Sequence, residues 1–268
     1  MAEEYLRYEC KNNVGIITMD RAPSNAIHVG VIQAFQEIVP KLDQDPKVRA
    51  VLITSGLEKI FMAGADISWL QEMNKGLKAA EGSAEAAPPG NELQGVFDQV
   101  NALSKPVIAC INGHALGGGC ELAMACHYRL MASDQGKIGL TEVNLGIIPG
   151  AGGTQRIIRI LGAARALPLL LEGTRLTPQE AKDTGLVHAL YPKDELLDAA
   201  MDLALRLAAQ PPIAVAEILR CVREGAEAPL QRGLEIETDG VFRCLATEDA
   251  MEGFQAFFEK RKATFKGK

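Results

Sequence analysis

The chain has 268 residues, 47% of them hydrophobic and 23% charged, with a formal net charge of −6 at pH 7. That length and apolar content suit one large domain, or one domain with an appended helical piece, and set disorder aside. The acidic balance, with a pI near 5.4, disfavours a surface built to attract nucleic acid or an anionic membrane, so neither is an expected partner.

Six cysteines (Cys10, Cys110, Cys120, Cys126, Cys221 and Cys244) form no Cys-x-x-Cys pair, and several lie in apolar runs. This predicts free thiols and a reducing, cytoplasmic compartment. The opening Met1-Ala2-Glu3-Glu4-Tyr5 has neither an apolar signal core nor an arginine-rich transit character. No apolar run reaches the ~20 residues that span a bilayer.

In chain order, short apolar runs at 14–19, 50–54, 107–111 and 128–132 are bounded by turn residues and read as buried strands. Between the first two, Ile32, Phe35, Ile38, Val39 and Leu42 recur at helical spacing. Phe61-Met62-Ala63-Gly64-Ala65-Asp66-Ile67 comes next, with Asp66 set to cap a helix running through Trp69, Leu70 and Met73. Small residues there let backbone approach a ligand, and the unpaired N–H groups of such a junction suit a developing oxyanion. Taken in isolation, Gly-Ala-Asp is more simply read as a plain helix cap. Residues 76–91 are low in complexity, and their second half, ending in Pro88-Pro89-Gly90, reads as a lid, a binding loop or a surface insertion.

The strand at 107–111 exits through Asn112-Gly113-His114-Ala115-Leu116 into Gly117-Gly118-Gly119, and an apolar helix follows over 121–126. This is a second strand-to-helix junction of the same kind, so two N–H groups can converge on one carbonyl oxygen. The glycines are not a phosphate loop, because neither Gly-Lys-Ser/Thr nor the Gly-x-Gly-x-x-Gly spacing is present. Glu121 is the only charge in that helix start; either the helix dipole or chemistry explains it. Glu142 lies within Ile138-Gly139-Leu140-Thr141-Glu142-Val143-Asn144-Leu145-Gly146-Ile147-Ile148, where apolar surroundings predict a raised carboxyl pKa. Two carboxylates in one apolar pocket permit one to be protonated and the other ionised, as acid and base work requires.

Strand and helix alternate to about residue 192, an α/β layer pattern. Thr177-Pro178-Gln179-Glu180 is a strong helix start. Leu196, Leu197, Ala200, Met201, Ala204 and Leu207 mark one amphipathic helix, Pro211-Pro212 opens another, and Met251, Phe254, Phe257 and Phe258 stripe the last. The chain therefore divides into a core over 1–192 and a helical region over 193–268. Lys260, Arg261, Lys262, Lys266 and Lys268 follow the aromatic stripe; they complement a helix dipole or form a phosphate site beside an apolar surface. There is no Gly-x-Ser-x-Gly elbow, and His28, His114, His127 and His188 show no zinc spacing, so no metal is expected. Cys120, Cys126 and His127 cannot all face one way on a helix, which leaves core packing as their reading.

Together, Ala63-Gly64-Ala65-Asp66-Ile67, Asn112-Gly113-His114-Ala115-Leu116-Gly117-Gly118-Gly119-Cys120-Glu121-Leu122, and Glu142 followed by Pro149-Gly150-Ala151-Gly152-Gly153-Thr154-Gln155-Arg156 resemble the crotonase superfamily, most of all its enoyl-CoA hydratases. The resemblance runs from about residue 10 to the tail. It implies a crotonase-like spiral of strand-strand-helix repeats with a C-terminal helical trimerisation region, assembled as a homotrimer or a dimer of trimers. It implies oxyanion-hole amides at Ala65 and Gly118, catalytic carboxylates at Glu121 and Glu142, and active-site backbone at Gly150. Coenzyme A contacts would fall at Ala63, Asp66, Ile67, Phe257 and Lys260, the last two commonly beside a neighbouring subunit. The implied substrate is an acyl-CoA thioester, with no separate cofactor. Relatives with only isomerase or decarboxylase activity often lack one glutamate, so the pair implies hydration of a trans-2-enoyl-CoA.

Three departures accompany the resemblance. The interval between the glutamates is one residue longer than expected, His127 stands where aspartate is frequent, and the 72–93 segment is about ten residues longer than in short-chain hydratases. That segment, near Trp69 and Met73, typically borders the acyl pocket, so it bears on acyl specificity. Two enzymatic alternatives are a 3,2-enoyl-CoA isomerase, for which Glu142 alone suffices, and a hydratase of a cyclic or branched acyl-CoA. An RNA-binding relative is a third, with only the short basic tail to support it.

Overall fold

The computed structural model describes residues 5–79 and 92–268. Of the 76–91 stretch, residues 76–79 close a helix and 80–91 lie outside the described residues.

Strands β1 (Leu6–Lys11), β2 (Val14–Met19), β3 (Ala50–Ser55), β5 (Val107–Ile111), β7 (Tyr128–Ala132) and β9 (Ala189–Tyr191) form one sheet in that spatial order. Only β1 and β2 are antiparallel; the other neighbours run parallel. Parallel strands covered on both faces need apolar side chains at every position, and β3 and β5 are buried along their whole length. Side chains alternate between faces. Val51 and Ile53 of β3 join the larger core with α1 (Val29–Gln44), while Ala50 and Leu52 join a second core.

That second core is sealed by α8 (Lys193–Ala208), which lays Leu196, Ala200, Ala204 and Ala208 on the sheet. Small side chains four residues apart let its backbone lie close. α7 (Pro178–Thr184) begins with the expected capping box, Thr177 N–H donating to the Glu180 carboxylate at 2.8 Å.

A smaller parallel sheet is made of β4 (Ile60–Met62), β6 (His114–Leu116) and β8 (Ile138–Gly139). Each of its strands directly follows one of the larger sheet, so β3–β4, β5–β6 and β7–β8 are three turns of one spiral. Their helices come next: α2 (Ile67–Ala79) and α3 (Glu92–Ala102) after the first turn, α4 (Gly118–Ala125) after the second, α5 (Gly153–Leu161) and α6 (Ala163–Glu172) after the third. All eight residues of α4 are buried, so this helix lies at the centre of the molecule. His127, just beyond it, accepts Val107 N–H at 2.9 Å on Nδ1, and burial lowers its pKa to about 4. It packs half-buried beside the core, with its charged form disfavoured.

The final helices are α9 (Pro212–Ala226), α10 (Leu230–Leu245) and α11 (Glu248–Glu259). None of α9 is buried, and Ile218, Val222, Phe242, Phe257 and Phe258 stand exposed. Sequence periodicity foresees the apolar stripes of α9 and α11; in the single chain these stripes meet solvent.

Candidate active site

The parallel pairing of β4 with β6 brings their C-terminal ends together, and both strands run on into helices. Gly64, with φ of +99°, lies against Gly117 and Gly118: a Cβ on Gly64 would stand 3.5 Å from Gly118 N and 3.0 Å from the Leu116 carbonyl oxygen. Only glycine fits that approach and that dihedral.

The direction of the two amides follows from the hydrogen bonds around them. Ile27 N–H donates to the Gly64 carbonyl and Asp66 N–H to the Ile27 carbonyl, both at 2.8 Å, so Ala65 between them turns its own N–H away from Ile27. Gly118 is the first residue of α4, and a first-turn N–H has no acceptor within its helix. Ala65 and Gly118 both line one cleft of about 570 Å³. Two main-chain donors on converging junctions are an arrangement that can serve an oxygen gaining negative charge.

Glu121, in the first turn of α4, is 2% exposed. Its Oε1 accepts Ala151 N–H at 2.7 Å and Gly153 N–H at 2.8 Å, so the Pro149–Gly153 turn cradles one side of the carboxylate. Its Oε2 points toward the cleft glycines, 3.9 Å from where a Cβ on Gly118 would sit. Burial pushes the Glu121 pKa upward, against the pull of those two N–H groups and of the Arg156 charge. Both donors favour the ionised form, since a carboxylate accepts without donating.

Glu142 opens a short 3-10 turn, Glu142–Leu145, just after β8. Its Oε1 stands 3.0 Å from where a Cβ on Gly117 would be, so the two carboxylates flank the same Gly117–Gly118 pair. Its buried Oε2 has no hydrogen-bond partner among the described residues. Burial, reinforced by the Glu121 charge, pushes the Glu142 pKa up to about 7. Two carboxyls in one cleft, one fixed by main-chain donors and the other titrating near neutrality, can do general base and general acid work.

The cleft also takes in Ala63, Ile67 and Gly150, together with Trp69 and Met73 of α2. Asp66 is not on its lining: it accepts Ser68 N–H at 3.0 Å as the cap of α2 and pairs with Arg21 at 3.3 Å. Phe257 and Lys260 do not line it either; they lie at the C-terminal end of α11, with Lys260 in a left-handed conformation. The amides of Ala151 and Gly153 are the site groups that residue-by-residue reading did not single out, although the glycine-rich run from Gly150 marks the turn. Among the described residues, no group of three or more His, Cys, Asp or Glu side chains is arranged to hold a metal ion. Among them, too, no helix is long and apolar enough to cross a membrane.

The spiral of paired sheets, with two outward amides and two carboxylates in one cleft, defines a crotonase-type protein, and the chain belongs to the enoyl-CoA hydratase/isomerase family, whose profile matches residues 9–268. Among its relatives, it is 38% identical to a crotonyl-CoA hydratase of Syntrophomonas wolfei over 99% of both chains. It is 36% identical to a short-chain-enoyl-CoA hydratase of Clostridium acetobutylicum, covering 95% of this chain and 94% of that one. In three dimensions it superposes with a TM-score of 0.89 on an enoyl-CoA hydratase from Bacillus anthracis, at 34% identity over 98% of this chain and 99% of that one.

Proposed function

We propose that the protein is an enoyl-CoA hydratase that adds water reversibly across the double bond of a trans-2-enoyl-CoA thioester to give the 3-hydroxyacyl-CoA. The observation that carries this reading is the pair of carboxylates on either side of Gly117–Gly118, Glu121 fixed by two main-chain N–H groups and Glu142 with a pKa pushed up to about 7. Family membership and the hydratases among its relatives support it.

In this reading the thioester oxygen accepts hydrogen bonds from Ala65 and Gly118 N–H, which draws electron density from Cβ. Glu121, ionised, takes a proton from a water as that water's oxygen bonds to Cβ. The π electrons move to the enolate, and Glu142, protonated, delivers its proton to Cα. The proton held by Glu121 then passes to Glu142 or solvent to reset the pair. No cofactor beyond the substrate's own coenzyme A is needed, because the charge that develops is held by main-chain dipoles.

Assembly as a homotrimer or a dimer of trimers through residues 193–268, in the cytoplasm, belongs to the same proposal. The exposed apolar residues of α9 to α11 support assembly, since a monomer seldom leaves so much apolar surface to water. Phe257 and Lys260 would then reach the coenzyme A of a neighbouring subunit. The 1–192 and 193–268 division belongs to the same proposal, with α8 of the second part packed on the sheet of the first.

The test is a panel of enoyl-CoAs from crotonyl-CoA upward, followed through the absorbance of the conjugated thioester. Loss of that absorbance with formation of 3-hydroxyacyl-CoA is expected. Double-bond migration from 3-enoyl-CoA without hydration would instead identify an isomerase.

A further inference from the structure

Resting on the reading of Glu121 as a reacting carboxylate, we infer that Arg156, tethered by Asp98, is a positioning residue that holds the Pro149–Gly153 turn so that Ala151 and Gly153 N–H fix Glu121. Arg156 lies on the first turn of α5, and its side chain is 14% exposed. It folds back along the chain: Nη1 donates to the Ala151 carbonyl at 2.7 Å, and Nη2 donates to the Asp98 carboxylate. Ala151 is thus held through both of its main-chain polar groups, its carbonyl on the guanidinium and its N–H on Glu121.

Close packing shows how tightly the turn is drawn onto that side chain. A Cβ on Gly152 would overlap Arg156 Nη1 at 2.1 Å, and Gly152 sits at φ of +94°. The guanidinium therefore occupies the space that any other residue at 152 would claim. It also favours the ionised form of Glu121 by its charge. A fixed fork of donors suits this double task, because one face grips a carbonyl while another meets a carboxylate.

Asp98 supplies the other end of the tether. It lies on α3, which also places Leu93 on the cleft lining. The helix that walls the cleft thus reaches the turn that cradles the carboxylate, through one ion pair between residues 58 positions apart.

The experiment compares the full-length wild type with Arg156→Gln, Arg156→Lys and Asp98→Asn. It measures hydration of crotonyl-CoA from pH 5 to 9, and titrates the Glu121 carboxyl by infrared difference spectroscopy against Glu121→Gln. Arg156→Gln is expected to lower kcat on the order of 10- to 100-fold with KM within about threefold. It should also move the acidic limb of the kcat profile and the Glu121 midpoint to higher pH, because the cation favouring the carboxylate is gone. Arg156→Lys should restore the midpoint more than the rate, since a lysine keeps the charge and loses the fork. Asp98 has a side chain 60% exposed, so Asp98→Asn keeps a folded variant in hand should the others destabilise the chain; about a threefold loss of kcat is expected. A lower melting temperature with neither limb nor midpoint displaced in any variant overturns the inference. A midpoint displaced in the variants, with a wild type that does not hydrate enoyl-CoA, upholds the positioning role and sinks the hydratase reading instead.

Discussion

The neighbourhoods of Glu121 and Glu142 hold the same residue type a few ångströms from the same two glycines, yet they treat it differently. At the start of α4, Glu121 is buried and fixed by two main-chain N–H groups. On the 3-10 turn after β8, Glu142 is less enclosed, but its buried oxygen has no partner among the described residues and its pKa rises to about 7. Burial raises both carboxyl pKa values, and what differs is the neighbouring charge: the Arg156 cation opposes the rise at Glu121, whereas the Glu121 charge adds to it at Glu142. A carboxyl beside a cation is drawn toward its ionised form, and one beside an anion toward its protonated form.

The largest effect that can break this contrast is removal of either ionisable group. Glu121→Gln and Glu142→Gln should each lower kcat by about 10²- to 10⁴-fold, the range for a positioned acid or base. Comparable losses are expected, and near-normal hydration in either variant would show that the pair does not act together. Next in size is Gly64→Ala, whose new methyl would press on Gly118 N and the Leu116 carbonyl. About a 10- to 100-fold fall in kcat is expected, the scale of one impaired oxyanion donor. Steady-state kinetics alongside a melting curve would check it, and unchanged kcat would count against the convergence of the two junctions.

The smallest effect is one of stability and sharpens the contrast directly. Glu142 holds its proton in the folded chain up to about pH 7, whereas the usual glutamate value is 4.5. Its contribution is present below pH 4.5 and is lost as pH rises toward 7, because the unfolded chain releases the proton first. Given its partial exposure, the loss is of order 1 kcal/mol. Thermal melting from pH 4.5 to 8 should therefore fall less steeply for Glu142→Gln than for the wild type. Parallel slopes would mean that Glu142 titrates near its ordinary value.

Much of this was legible in the residues. The runs at 14–19, 107–111 and 128–132 coincide with β2, β5 and β7, because a strand buried on both faces shows as unbroken apolar sequence. β1 escaped notice since it is an edge strand with only Leu6 buried. β4, β6 and β8 span two or three residues each, too few for any period to show. The residues that face the cleft were readable from glycine-marked junctions, where backbone must come close. Arg156 carried no such mark as a positioning group, because its partners are a carbonyl five residues back and a carboxylate on another helix. Asp66 shows the opposite limit: a cap and a ligand contact look alike in sequence, and here its oxygens serve Ser68 and Arg21.

The donors at Ala65 and Gly118 belong to the main chain, and this shapes how such a protein can diversify. Exchanging a side chain leaves a peptide N–H in place, so point mutation reaches these two groups only by bending the backbone that carries them. The walls made by Trp69, Met73 and Leu93 have no such protection. Descendants of this chain can therefore remodel the cleft walls while inheriting the same pair of main-chain donors.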